Sequence, residues 1–441
     1  MKRVSLAGVL EWGLAIVVFG VVVHAPFSVY FGTLLPQAEL ALKAWKELAL
    51  GLLIILMAVE LTRRHQWKVF LNERMVQLAL AFIGLHLLLA AFRGGNLTST
   101  VAGLMIDLRF VAALLLAYAV VRLRPSALRT IAGATIAGAT VVLGFGLLQI
   151  TILPDDILRG LGYSKQTITP YTTIDSNPDY VRINSTLRGP NPLGALAVVY
   201  AALVLAYLAK NYTRTSVRQK VLSTAVVASA VAILFASYSR SAYLAGIAAF
   251  ITVAVLSLRL SKRVVLSAAT TVVVIVIGLG LVSTTDWYSN VILHEDPEST
   301  TVAKSNDDHV LSLQTGLDRT LSQPLGAGVG STGSASLYDE DASNDIVIEN
   351  QYFFVAHESG WLGLSLFIGL TGVIMVRLWQ ARQDWRAIGL LASGVGLLII
   401  GLLLPVWVDE TVSIIWWSLT GAVIAAVSGI MKNGYDRRTR Q

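Results

Sequence analysis

Four short polar clusters interrupt an otherwise apolar chain, and three of them carry an arginine. The first is Leu187-Arg-Gly-Pro-Asn-Pro-Leu-Gly194. Pro and Gly make a tight, pre-ordered turn there; Asn191 suits an N-cap and Pro192 the first helical turn. The second is Ser237-Tyr-Ser-Arg-Ser241, a very short hairpin between two apolar stretches. The planar guanidinium of Arg240 at that depth suits a phosphate, which it can grip through two parallel hydrogen bonds. The third joins Arg319, on the amphipathic stretch His309 to Leu321, to the turn Pro324-Leu-Gly-Ala-Gly-Val-Gly-Ser331. Glycines 326, 328 and 330 could let backbone N–H groups approach an anion, although the lysine of a nucleotide-binding loop is missing. The fourth is Glu349-Asn350, followed by Tyr352, His357, Glu358, Gly360 and Gly363. A carboxylate near two or three arginines can serve as a general base, and His357 offers the same service. Arg188, Asn191, Asn350 and His357 are therefore candidate substrate-binding residues, and Glu349, Arg240 and Arg319 candidate catalytic ones.

The rest of the composition excludes several chemistries. Cysteine is absent, so there are no disulfides, thiol nucleophiles or thiolate metal sites. The six histidines are scattered, with no HxxxH or HExxH pair, and no metal site is expected. Within apolar stretches Glu11, Asp107 and Arg109 are costly to insert, and each is expected to pair with a neighbouring helix. Asp339, Glu340 and Asp341 read as a solvated run.

The elements that must position these clusters are membrane spans. Of 441 residues, 55% are hydrophobic and 14% charged, with a mean hydropathy of +0.67. Apolar blocks long enough to cross a bilayer predict about twelve helices. Their limits are near 7–26, 44–61, 74–92, 99–121, 128–152, 192–209, 221–238, 241–258, 264–282, 359–376, 387–404 and 411–430. The first reads as a retained span rather than a cleaved signal. One set of loops holds most of the 34 basic residues, among them Arg63, Arg64, Arg122, Arg124, Arg214, Arg218, Lys262, Arg377 and Arg382. The alternate loops are acidic. The positive-inside rule then puts both termini in the cytoplasm and assigns the net charge of +7 to the inner leaflet rather than to nucleic acid. Two extracytoplasmic loops are long, 153–191 and 283–358, and all four clusters lie at that face. The chain is expected to be one all-α membrane domain.

In these clusters the chain resembles the O-antigen ligase and O-antigen polymerase superfamily of bacterial envelope glycosyltransferases. The matching features run in order: Arg188-Gly-Pro-Asn-Pro-Leu-Gly194, Ser239-Arg240-Ser241, Arg319 with the glycine turn, and Asn350 with nine residues to Gly360 and then Gly363. The resemblance covers roughly residues 180–380. It implies a GT-C-like fold, a polyprenyl-diphosphate-linked glycan donor, a glycan or lipid-core acceptor, transfer on the outer face of the inner membrane, and no cofactor. It also implies that Arg240 and Arg319 hold the donor diphosphate. The ligases resemble one another in a His before the Asn; Glu349 stands there instead, which favours a polymerase or another relative. A twelve-helix transporter is the alternative from another class. It would show similar halves, broken central helices and polar residues at the midplane.

Overall fold

The computed structural model describes residues 5–93, 95–174, 177–257, 302–339 and 347–438. The expected span 264–282 and the residues Lys262, Glu340 and Asp341 lie outside them. The described helices are α1 (Leu6–Gly20), α2 (His24–Leu34), α3 (Glu39–Arg63), α4 (Trp67–Leu71), α5 (Arg74–Arg93), α6 (Leu97–Leu123) and α7 (Ala127–Thr151). After an antiparallel hairpin, β1 (Thr172–Ile174) and β2 (Asn177–Arg182), come α8 (Pro190–Asn211), α9 (Val217–Ala236) and α10 (Arg240–Ser257). The chain continues with α11 (Val302–Ser322), the single turn α12 (Gly333–Ser336), α13 (Gln351–Gln380), α14 (Trp385–Ile400) and α15 (Glu410–Arg438).

The molecule is an almost wholly helical membrane protein. Among the described residues eight helices are long and apolar enough to span a bilayer, or up to nine if α1 and α2, bent by 80°, form one broken span. A helix nevertheless stands at each expected position within the described residues. α14 is shorter than a full span, and α3 is not among the eight because charged residues interrupt it. The hairpin β1–β2 departs from a purely helical fold, and it lies in the first long loop.

The core is built around α15 and α6. Of α15's apolar window 89% is buried, and of α6's 67%. Trp407, Trp416 and Trp417 stack against one another with ring centroids 5.3 Å apart, and Phe110 of α6 meets Trp417 at 4.7 Å. Such aromatic contacts add to the packing that holds helices together where no water is left to expel.

The two sets of loops meet only within their own set in the ion pairs and caps described. At one end Arg124 bridges to Glu11 at 2.7 Å, Arg64 to Glu60 at 2.7 Å, and Arg377 pairs with Glu73. At the other end Arg188 faces Glu410, and Asn350 donates to the Leu402 carbonyl. This segregation matches the alternation of charge along the sequence.

Helix α13 begins at Gln351, inside the stretch read as the end of the second long loop, and it breaks at Gly360. There φ is +67° and ψ −169°, a conformation that glycine tolerates and other residues do not. The break frees backbone groups that would each cost several kcal/mol inside a bilayer. The glycine turn satisfies them: Ala327 N–H donates to His357 O at 2.6 Å, Gly328 N–H to Glu358 O at 3.1 Å, and Trp361 N–H to Pro324 O at 2.9 Å. A Cβ on residue 360 would stand 2.4 Å from Pro324 O. Gly360→Ala is therefore expected to abolish the monodisperse folded protein or lower its Tm by many degrees. Gly372→Ala, on the same helix with open space around it, should leave Tm within a degree or two. A thermal melt of both variants in one detergent checks this.

Candidate functional site

The first two polar clusters touch. Gly194 of α8 packs against the hairpin Ser237–Ser239; a Cβ there would lie 2.8 Å from both Ser237 Oγ and Ala242 Cβ. This close approach brings the start of α8 beside the start of α10. Tyr238 takes a left-handed conformation, φ +47°, with its ring edge-on to Tyr180 at 6.0 Å. The turn thereby delivers Arg240 as the first residue of α10. Arg182, at the end of β2, reaches into the same place. Its Nε donates to Ser237 O at 3.0 Å and its Nη2 to Asn191 Oδ1 at 2.7 Å. Burial draws the Arg182 guanidinium down to about 10, the neighbouring Arg240 charge adding to the effect and Tyr243 opposing it. Both arginines remain cations at neutral pH. They sit at the N-terminus of α8, whose dipole adds a further partial positive charge. Asn191 is not the N-cap: Gly189 occupies that position, with Pro190 as the first helical residue, and the Asn191 amide instead receives Arg182.

Arg188 sits where both long loops and the segment before α15 meet. Half exposed, it faces Glu410 at 3.6 Å, with Asp409, Tyr338 and Tyr163 close enough to interact electrostatically. Glu410 beside it raises the guanidinium above its ordinary range. Behind Arg188 lies a buried ionic network. Arg109 bridges to Glu47 at 2.9 Å and to Glu410 at 3.8 Å, Lys46 to Glu47 at 3.2 Å, and His24 contacts Lys46 at 3.1 Å. Two buried cations, Arg109 and Lys46, and the half-exposed Arg188 face the three carboxylates Glu47, Asp409 and Glu410. Asp409 caps α15 by accepting from Thr411 and Val412 N–H. Burial, then the like charge of Glu410, push its carboxyl up to about 6, against the pull of Val412 N–H, Arg109 and Arg188.

The third and fourth clusters also come together. Arg319, near the end of α11, is close enough to His357 of α13 to interact electrostatically. His357 is 1% exposed, whereas Glu349 is half-buried beside α11, its N–H donating to Ser312 Oγ at 2.8 Å. Asn350 caps α13, its Oδ1 accepting from Tyr352 and Phe353 N–H at 2.9 and 3.1 Å. The glycine turn does not offer its N–H groups to an outside anion. Besides the two that plug the helix break, Gly330 and Thr332 N–H donate to the buried Glu358 carboxyl at 3.2 and 3.4 Å. Asp107 of α6 lies close enough to Glu358 to interact electrostatically. As expected, Arg109 and Glu11 find partners on other helices, Glu47 and Thr130; the neighbour of Asp107 is the Glu358 carboxyl. Among the described residues no three His, Asp or Glu side chains converge as metal ligands would.

The cluster order, the topology and the paired sites can be set beside known proteins. Residues 224–368 match the O-antigen ligase family. No curated protein matches the chain. The O-antigen ligase match supports the superfamily resemblance over α9, α10, α11 and the first half of α13. It contains Arg240, Arg319, Glu349, Asn350 and His357, and it leaves Arg182, Arg188, Asn191 and Glu410 outside. Arg182, Lys46, Glu47, Asp409 and Glu410 stand beside the candidate residues and were not singled out by sequence reasoning. Lys46 and Glu47 do carry a signal, since they are adjacent charges inside an apolar stretch.

Proposed function

We propose that the chain is a GT-C-like glycosyltransferase of a bacterial inner membrane, with about twelve spans, that moves a polyprenyl-diphosphate-linked glycan to an acceptor hydroxyl on the extracytoplasmic face. The observation that carries this reading is the pair of guanidiniums, Arg182 and Arg240, at the N-terminus of α8. Two adjacent cations at a helix N-terminus suit a diphosphate better than a neutral solute. The acceptor oxygen attacks the anomeric carbon, and the carbon–oxygen bond to the diphosphate breaks. The diphosphate leaves with the electron pair, neutralised by Arg240 and Arg319. The acceptor proton passes to Glu349, which is more accessible than His357. The acceptor is another lipid-linked repeat unit in a polymerase, or a lipid core in a ligase; Glu349 in place of the ligases' His favours the polymerase.

Two observations are of the kind a transporter shows, the break in α13 and the 80° bend between α1 and α2. The backbone groups freed at Gly360 are, however, taken by the glycine turn rather than left open for a solute. Purified protein given lipid-diphosphate glycan should release polyprenyl diphosphate and form a longer or ligated glycan. Passage of glycan across a vesicle wall without any new glycosidic bond would instead establish the transporter. Reporter fusions after Tyr163 and Asp339 should read extracytoplasmic, and those after Thr213 and Gln383 cytoplasmic. A cytoplasmic signal from either long loop would overturn the proposed face.

A further inference from the structure

Helix α11 buries the stripe a soluble helix would leave outside. Ser312, Gly316 and Thr320, four residues apart, are the side turned into the protein. Gly316 lies against the Phe353 ring, and Ser312 Oγ both accepts from Glu349 N–H and donates to Val347 O at 3.2 Å. One residue further on, Leu313, Leu317 and Leu321 repeat the same spacing and are 37%, 46% and 63% exposed. At roughly 100° per residue the leucines flank the buried stripe on one side and Arg319 flanks it on the other, while Gln314 and Asp318 face away. An amphipathic helix in water turns its leucines inward. This one keeps them out, so another apolar medium must receive them.

The same surface shows what that medium is. Trp361 donates its indole N–H to Thr320 O at 2.7 Å, tying the end of α11 to the second half of α13. Trp361 is itself half exposed, and below it Leu362 and Ile368 of that candidate span point outward. The lipid-facing side of α13 thus runs through Trp361 onto the leucine stripe. Tryptophan at the end of a span sits at headgroup level, with its ring in the acyl boundary and its N–H in the polar layer.

We infer that α11 is an interfacial helix: it lies in the bilayer surface at the end of the bundle that carries the long loops, with Leu313, Leu317 and Leu321 in the headgroup–acyl boundary. The partner is a lipid surface. Lipid contact sets the roll of the helix, and the roll sets the aim of Arg319 toward His357. The lipid contact itself does not depend on the glycosyl-transfer reading.

The chain has no cysteine, so single labels can be placed without background. Full-length Leu317→Cys, Leu321→Cys, Gln314→Cys and Asp318→Cys, each carrying a nitroxide, would be placed in nanodiscs of phosphatidylethanolamine and phosphatidylglycerol. Relaxation by molecular oxygen should exceed relaxation by an aqueous nickel chelate several-fold at 317 and 321, with the reverse at 314 and 318. Equal access of the chelate to 317 and 318 would overturn the inference. So would shielding of 317 and 321 from both relaxers with dipolar coupling between labelled copies, since a second protein chain would then cover the stripe. Gly372→Cys, on α13, tests whether the preparation is correctly embedded and should show oxygen-dominated relaxation in either case.

Discussion

Arg240→Lys should lose about 100-fold in transfer rate while the protein stays folded. The reason is geometric. A diphosphate at the start of α8 meets one guanidinium already held: Arg182 uses its Nε and Nη2 on Ser237 O and Asn191. Arg240, on the adjoining hairpin, adds a second planar fork beside it. Lysine keeps the charge but offers a point donor in place of two parallel N–H groups. One charge-assisted hydrogen bond contributes about 1.5–3 kcal/mol, and each 1.4 kcal/mol in the transition state is about tenfold in rate. Loss of one such bond at the leaving group therefore costs about 10- to 100-fold, and the poorer fit places the effect at the upper end. Arg182→Lys should behave differently. It breaks two bonds that fix the hairpin against α8, so donor KM should rise and Tm should fall together. Rates from purified lipid-diphosphate glycan, with melts on the same samples, separate the two. Wild-type turnover by Arg240→Lys would reduce Arg240 to an interface anchor.

The membrane architecture was legible because hydropathy encodes it directly: an apolar stretch of about 20 residues has one cheap fate in a bilayer. Arg240 drew notice for a related reason, since a cation in a tight hairpin assigned to the outer face runs against the positive-inside bias. Arg182 carries no such signal. It follows Asn-Pro-Asp-Tyr-Val in a long polar loop, and only the fold brings it to Asn191. Glu410 stands at the edge of an apolar block and drew no notice in the sequence, yet it is 1% exposed and faces Arg188. The residues 351–359 mislead in the opposite direction. Their Gln, His, Glu and Ser suggest a loop, but they form a buried helix in which the Gln351 amide accepts from Trp407 N–H, the Glu358 carboxyl accepts from the glycine turn, and Ser359 bonds back to Val355 O. The glycines themselves were recognisable, and their purpose was not. All three take positive φ, and the Glu358 carbonyl and carboxyl that Gly328 and Gly330 N–H meet come from 30 and 28 residues away.

Glu349→Gln is the stronger test of mechanism, and it should abolish product while leaving donor binding nearly intact. The structure gives Glu349 a fixed backbone and a side chain less deeply buried than that of His357. Its N–H is held by Ser312 Oγ, and the next residue, Asn350, is locked as the cap of α13 and to Leu402 O. The side chain is half-buried beside the helix–helix contact that places Arg319. His357, the other candidate base, is 1% exposed beneath the glycine turn, and a base must first reach the proton it removes. Glutamine keeps the shape and the hydrogen-bonding oxygen but cannot take the acceptor proton. General-base removal typically costs about 100- to 10,000-fold, against about tenfold or less for the loss of one exposed ion pair. The size of the defect therefore distinguishes catalysis from loop support. Glu349→His should retain part of the activity, because imidazole accepts a proton near neutral pH and the change restores the His-Asn pair that the ligases resemble one another in. If Glu349 only steadies the loop, Glu349→Gln will instead weaken donor binding or lower Tm, and Glu349→His will not rescue it. Product formation and donor binding measured on the same purified variants decide between the two. Full turnover by Glu349→Gln would leave the departing diphosphate, rather than a base, as the driving group.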